Sequence, residues 1–136
     1  MGSVERFEDL EIWQLSRNLV RYVYELTRKQ KFSKDFGLKD QIRRSSVSVM
    51  NNISEGFESR TTKRFIDYLG RSKGSCGETR SVSYVAVDCD YITEKEFQKL
   101  YDQCVKISGK IRRLMDYLEG YDSNDRVKDV MVSYKA

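Results

Sequence analysis

Histidine and proline are both missing from this chain, and glycine is scarce, with 8 in 136 residues. Without histidine there is no Ser-His or Cys-His pair for nucleophilic catalysis, and no Glu-x-x-His pair to build a di-iron helical site. Without proline the strongest helix breaker is gone, which argues for long uninterrupted helices. The three cysteines, Cys76, Cys89 and Cys104, are odd in number and widely spaced. That pattern reads as reduced, buried thiols in a cytoplasmic protein rather than a disulfide or metal framework. No apolar run approaches a membrane span. Glu5, Glu8 and Asp9 stand where a secretory leader needs basic and then apolar residues, so none is expected.

What is present is charge and helical period. Charged residues make up 34% and the formal net charge is +4. The excess is uneven: residues 28–80 hold 13 Lys/Arg against 6 Asp/Glu, while the remainder is net acidic. Four helical segments emerge. The first runs from an Asp9 N-cap to about Lys29, with Ile12, Leu15, Leu19, Tyr22 and Leu26 spaced 3, 4, 3, 4. The second spans about Leu38 to Phe57, and the third runs from Thr61 or Thr62 to about Asp88. The fourth opens with the capping box Thr93-Glu-Lys-Glu96 and carries the seam Phe97, Leu100, Cys104, Ile107, Ile111, Leu114, Leu118. At about 1.5–3 kcal/mol per buried side chain, that seam contributes on the order of 10–20 kcal/mol gross, as an upper estimate. Short connections make neighbouring helices antiparallel. The expected architecture is all-α, an up-down-up-down four-helix bundle over residues 1–120, followed by a tail at 121–136 that is frayed or briefly helical.

The second segment is unusual. Beside its apolar stripe of Leu38, Ile42, Val49, Ile53 and Gly56 runs a polar one: Gln41, Ser45, Ser48, Asn52, Glu55. Ser and Asn are mediocre helix formers, so such a face asks for a reason. Gly70, Gly74 and Gly77 in the third segment cost about 1 kcal/mol each relative to Ala. Close approach of the Ser-rich second helix would explain them, and a kink is the alternative. Glu55 and Glu78 are the one candidate acid–base pair. The plainer reading makes Ser48, Asn52, Glu55 and Glu78 a buried structural network, since buried polar groups usually satisfy one another.

Lys29, Lys31, Lys34 and Lys39 flank the first connection, Arg43 and Arg44 follow, and Arg60, Lys63 and Arg64 sit at the second. Clustered Lys/Arg is what phosphate binding needs. Lys99, Lys106, Lys110 and Arg113 add charge along the fourth helix. The helical spacing of most Tyr and Phe residues suggests core rather than base-stacking platforms.

Phe7-Glu-Asp-Leu-Glu-Ile-Trp13, Leu38-Lys-Asp-Gln-Ile-Arg-Arg44, Ser48-Val-Met-Asn-Asn-Ile-Ser-Glu-Gly56, and Phe65, Leu69, Gly74-Ser75 and Glu78 together resemble the bacterial four-helix-bundle family of 23S rRNA intervening-sequence proteins. The resemblance covers about residues 7–119. It implies a homopentameric, barrel-shaped assembly, similar to the accessory variability determinant of diversity-generating retroelements, which binds nucleic acid and assists a reverse transcriptase. It carries over no catalytic residue, cofactor or metal. The expectation is a non-catalytic, nucleic-acid-binding, RNA-associated homo-oligomer. A structural or protein-interaction module that binds a partner such as a polymerase is the alternative, and a carboxylate enzyme using Glu55 and Glu78 is a third.

Overall fold

The computed structural model describes residues 3–134. A 3-10 turn at Phe7–Asp9 precedes α1 (Glu11–Thr27), α2 (Gln30–Lys34), α3 (Phe36–Phe57), α4 (Thr62–Asp88), α5 (Glu94–Leu118) and α6 (Val127–Met131). The four long helices close a ring: α1 packs on α3 and α5, and α4 packs on α3 and α5. Tyr24 and Thr27 meet Arg43, Thr79 meets Ser45, Arg80 meets Tyr101, and Lys110 meets Glu11. In each pair one helix rises as the other falls, so the bundle is antiparallel throughout. Among the described residues no helix is long and apolar enough to cross a membrane.

The α5 seam is buried from Leu100 to Leu118, at Leu100, Cys104, Ile107, Ile111, Leu114 and Leu118. Phe97, at its head, is only half-buried and packs edge-on to Tyr84 at 4.7 Å. The capping box forms as expected, with Glu96 N donating to Thr93 Oγ1 and Thr93 N to Glu96 Oε1. On α1 the buried stripe is Ile12, Ser16, Leu19, Val23, Leu26, so Leu15 and Tyr22 sit at its margin.

Three expectations are corrected. Asp9 does not cap α1; it closes the preceding 3-10 turn, accepting from Glu5 N and Arg6 N. The first connection contains α2, whose Phe32 is buried and stacks on Tyr91 at 5.2 Å. Cys76 and Cys104 are buried but Cys89 is exposed. In the tail, the short helix α6 buries Val127, Val130 and Met131; the last two residues, 135 and 136, lie outside the described range.

The docked tail does a specific job. A helix start leaves backbone N–H groups without partners. At α4 the Thr62 N–H donates to Asp125 O, Lys63 N–H to Ser123 O, and Arg64 N–H to Thr61 Oγ1. Val127 N–H donates to Arg60 O, and Arg60 holds φ 90. That left-handed conformation is strained for a non-glycine residue, and the tail is tied to the carbonyl it presents.

Candidate nucleic-acid interface

The polar stripe of α3 is explained by α4. Ser48 Oγ and Ser75 Oγ share a 2.9 Å hydrogen bond, Thr79 Oγ1 donates to Ser45 Oγ at 2.8 Å, and Ser72 Oγ donates to Val49 O at 2.7 Å. Asn52 Nδ2 donates to both Ser48 O and Ser48 Oγ. This is a hydroxyl ladder between two helices, and small hydroxyls suit it because they satisfy each other across a short gap. Ser48 and Asn52, both half-buried, take part in this ladder.

Glu55 and Glu78 do not. Both are exposed. Ser48 faces Ser75 and Ser45 faces Thr79, so Glu78 lies level with Ser45 and Ser46 while Glu55 lies level with Tyr68. Ten residues of helix put them roughly 15 Å apart, too far for the two carboxylates of an acid–base pair. Glu55 instead lines a shallow groove of about 480 Å³ with Tyr24, Arg43, Arg44, Ser48 and Asn52.

The glycines also resolve differently. A Cβ at Gly56 would lie 2.7 Å from Tyr68 Cβ, so Gly56 is where α3 and α4 approach closely. A Cβ at Gly74 or Gly77 would meet nothing within 4 Å. These two face outward, and close approach of α3 does not account for them.

The basic residues gather at the two ends of α3, which its 22 residues set roughly 33 Å apart. At the first end lie Arg28, Lys29, Lys31, Lys34 and Lys39. Lys29 is engaged by Glu96, whose carboxyl burial would raise but which hydrogen bonds from Lys29 and Thr93 hold below the usual range. Among the described residues Arg28, Lys31, Lys34 and Lys39 have no ion-pair partner. Asp35, within the same stretch, caps α3 through Leu38 N and accepts from Tyr91 OH at 2.9 Å. That bond holds the Tyr91 phenol above its ordinary value.

Arg43 and Arg44 are less available than the sequence suggested. Arg43 is half-buried, donates from Nε to Thr27 Oγ1 at 2.8 Å and stacks 4.3 Å from the Tyr24 ring centre. Arg44 pairs with Asp40. At the other end Arg60, Lys63 and Arg64 are exposed. The tail brings Arg126 and Lys128 beside Arg60, all three lining one hollow with Glu58. Sequence reading missed those two; the signal was their alternation with Val127, Val130 and Met131. Along α5, Lys110 pairs with Glu11 and Lys99 covers the Tyr22 ring, while Lys95, Lys99 and Lys106 line a shallow hollow with Asp102.

Side-chain caps at the starts of α3, α4 and α5, a closed four-helix ring and basic side chains at both ends define the class: an all-helical bundle protein. The sequence pattern of the family described as 23S rRNA-intervening sequence protein matches residues 8–113, and the chain belongs to that family. No curated protein matches the chain. A crystal structure from Bacteroides thetaiotaomicron VPI-5482, described as a protein of unknown function from the S23 ribosomal protein family, is similar in fold, with a TM-score of 0.70 at 22% identity over 76% of this chain and 97% of that one.

Proposed function

We propose that this protein is a non-catalytic nucleic-acid-binding module, associated with RNA and working as a homopentamer. The observation that carries the reading is the pair of basic ends, at which Arg28, Lys31, Lys34 and Lys39, and Arg60, Lys63, Arg64, Arg126 and Lys128, are drawn together with few ion-pair partners. In a ring each end becomes a rim, and repetition multiplies weak phosphate contacts as linked sites do. The outward face of α4 and α5, with Gly74, Gly77, Tyr84, Val85 and Val105 exposed, is the packing surface left for neighbouring copies. On α1 and α3, Phe36 is the one large apolar residue exposed, among the described residues.

Gel-shift titration of mixed-sequence RNA and DNA at two salt concentrations tests it. Affinity should fall steeply with salt, log K dropping by about 0.7–0.9 per phosphate contacted per decade. Replacing Lys31 and Lys34, or Lys63 and Arg64, by Gln should weaken binding to all sequences alike. Arg43 is a poor probe, because its bond to Thr27 makes a change there structural. Binding that is absent at low salt would favour a protein-interaction module docking through the same α4–α5 face, with a polymerase as the kind of partner the family resemblance suggests.

A further inference from the structure

Phe36 is the most exposed large apolar side chain described, at 73%. It occupies the first turn of α3, off the apolar stripe, directly after the basic run. Its backbone is held firmly. Asp35 caps the helix beneath it, Phe32 anchors α2 on one side, and Tyr91 binds Asp35 from the α4–α5 connection. Lys39 Nζ lies 4.9 Å from the ring centre, leaving the remainder of the ring to solvent. Lys31 and Lys34 precede it within one helical turn of α2, and Arg28 stands just before.

An apolar ring held in water gains nothing from burial, and within the chain its one described aromatic or cation–π contact is with the Lys39 ammonium. Lys39 against the ring and the basic run that precedes it draw phosphate oxygens, and a ring beside them meets whatever those phosphates carry. In a duplex the bases are stacked inside and offer no face. In a single strand, a loop or a bulge the base faces are free, and aromatic stacking of unpaired bases is the common way proteins hold such strands. We infer that Phe36 is a stacking platform for an unpaired base, and that the α1–α3 end takes single-stranded nucleic acid in preference to duplex. The inference rests on the nucleic-acid reading above and names the form of nucleic acid that reading leaves open. Lys39 covers one part of the ring by a cation–π contact and can pass to a phosphate as the base arrives.

The test uses the full chain with a short single-stranded RNA bearing a fluorescent aminopurine, and the same RNA annealed to its complement. Wild type should bind the single strand more tightly and quench the aminopurine. Phe36→Ala should weaken single-strand binding by about 5- to 150-fold, lose the quenching and leave duplex binding unchanged, while Phe36→Trp should restore both. Phe36 is exposed, so neither change threatens the fold. Single-strand affinity and quenching unaltered in Phe36→Ala, with steep salt dependence kept, would overturn this inference and leave the nucleic-acid reading standing. Absence of binding to either RNA at low salt would sink both. Two further results would overturn it by giving the ring another occupant: a Phe36-dependent change of oligomer mass, or Phe36-dependent binding to anionic lipid vesicles with none to RNA.

Discussion

Helix α4 meets its two partners in opposite ways. Against α3 it presents Ser72, Ser75 and Thr79, each hydrogen-bonded across the interface, with Gly56 of α3 admitting Tyr68 and Phe65. Against α5 it faces a continuous apolar seam, with Cys76, Cys104, Ile107 and Ile111 buried and the Tyr84–Phe97 ring pair at the end. The seam supplies stabilisation through area removed from water, and apolar area tolerates small slides. The ladder contributes less, about 0.5–1.5 kcal/mol per bond, but a hydroxyl displaced by a turn loses its partner. The seam supplies bulk stability, and the ladder, laid beside the buried Phe57–Phe65 ring pair, specifies register.

The sharpest break of that contrast is Ile111→Ala in the seam. It should cost about 2–5 kcal/mol, read as a lower urea midpoint with an unchanged slope. A loss under 1 kcal/mol would mean the seam is not the main source of stability.

Alkaline pH weakens the seam. Burial pushes the Cys76 and Cys104 thiols up to about 12 from the ordinary value of 9.0. Their folded-state pKa is raised, so their contribution is fully present below pH 9 and is lost as pH rises from there toward 12. Near pH 10.5 this amounts to roughly 2 kcal/mol per thiol. Urea midpoints should fall between pH 8 and 10.5, and Cys76→Ala with Cys104→Ala should flatten the fall. It should not abolish it, because burial also raises the Tyr117 and Tyr134 phenols.

On the ladder side, Gly56→Ala forces a Cβ to within 2.7 Å of Tyr68 Cβ. Overpacking of this kind costs about 1–3 kcal/mol, partly offset by alanine's better helix propensity. A stabilised variant in thermal unfolding would show that α3 and α4 can part without loss.

The smallest effect has the opposite sign. Gly77→Ala adds a methyl to open space and should stabilise the isolated chain by about 0.5–1 kcal/mol. If the α4 face packs against another copy, the same change should lower the oligomer mass measured by light scattering. Stabilisation with no change of mass would remove that face from the assembly.

Sequence alone determined the elements held by local chemistry. The capping box at Thr93 and Glu96, the unbroken α5 seam and the absence of proline are read within a few residues of where they act, so helix boundaries at α3, α4 and α5 were legible to within two residues. The polar stripe of α3 was visible too, and its need for partners was legible, though not who they were. Tertiary structure alone decided the pairings, because a helix face does not state its register. Antiparallel sliding set Ser48 against Ser75 and carried Glu78 away from Glu55, dissolving the one candidate acid–base pair. Packing also turned Gly74 and Gly77 outward, spent Arg43 on Thr27 and Tyr24, and folded the tail back so that its carbonyls cap α4 and its Arg126 and Lys128 join Arg60. Each of these depends on groups far apart along the chain, whose meeting is set by the shape of the whole bundle.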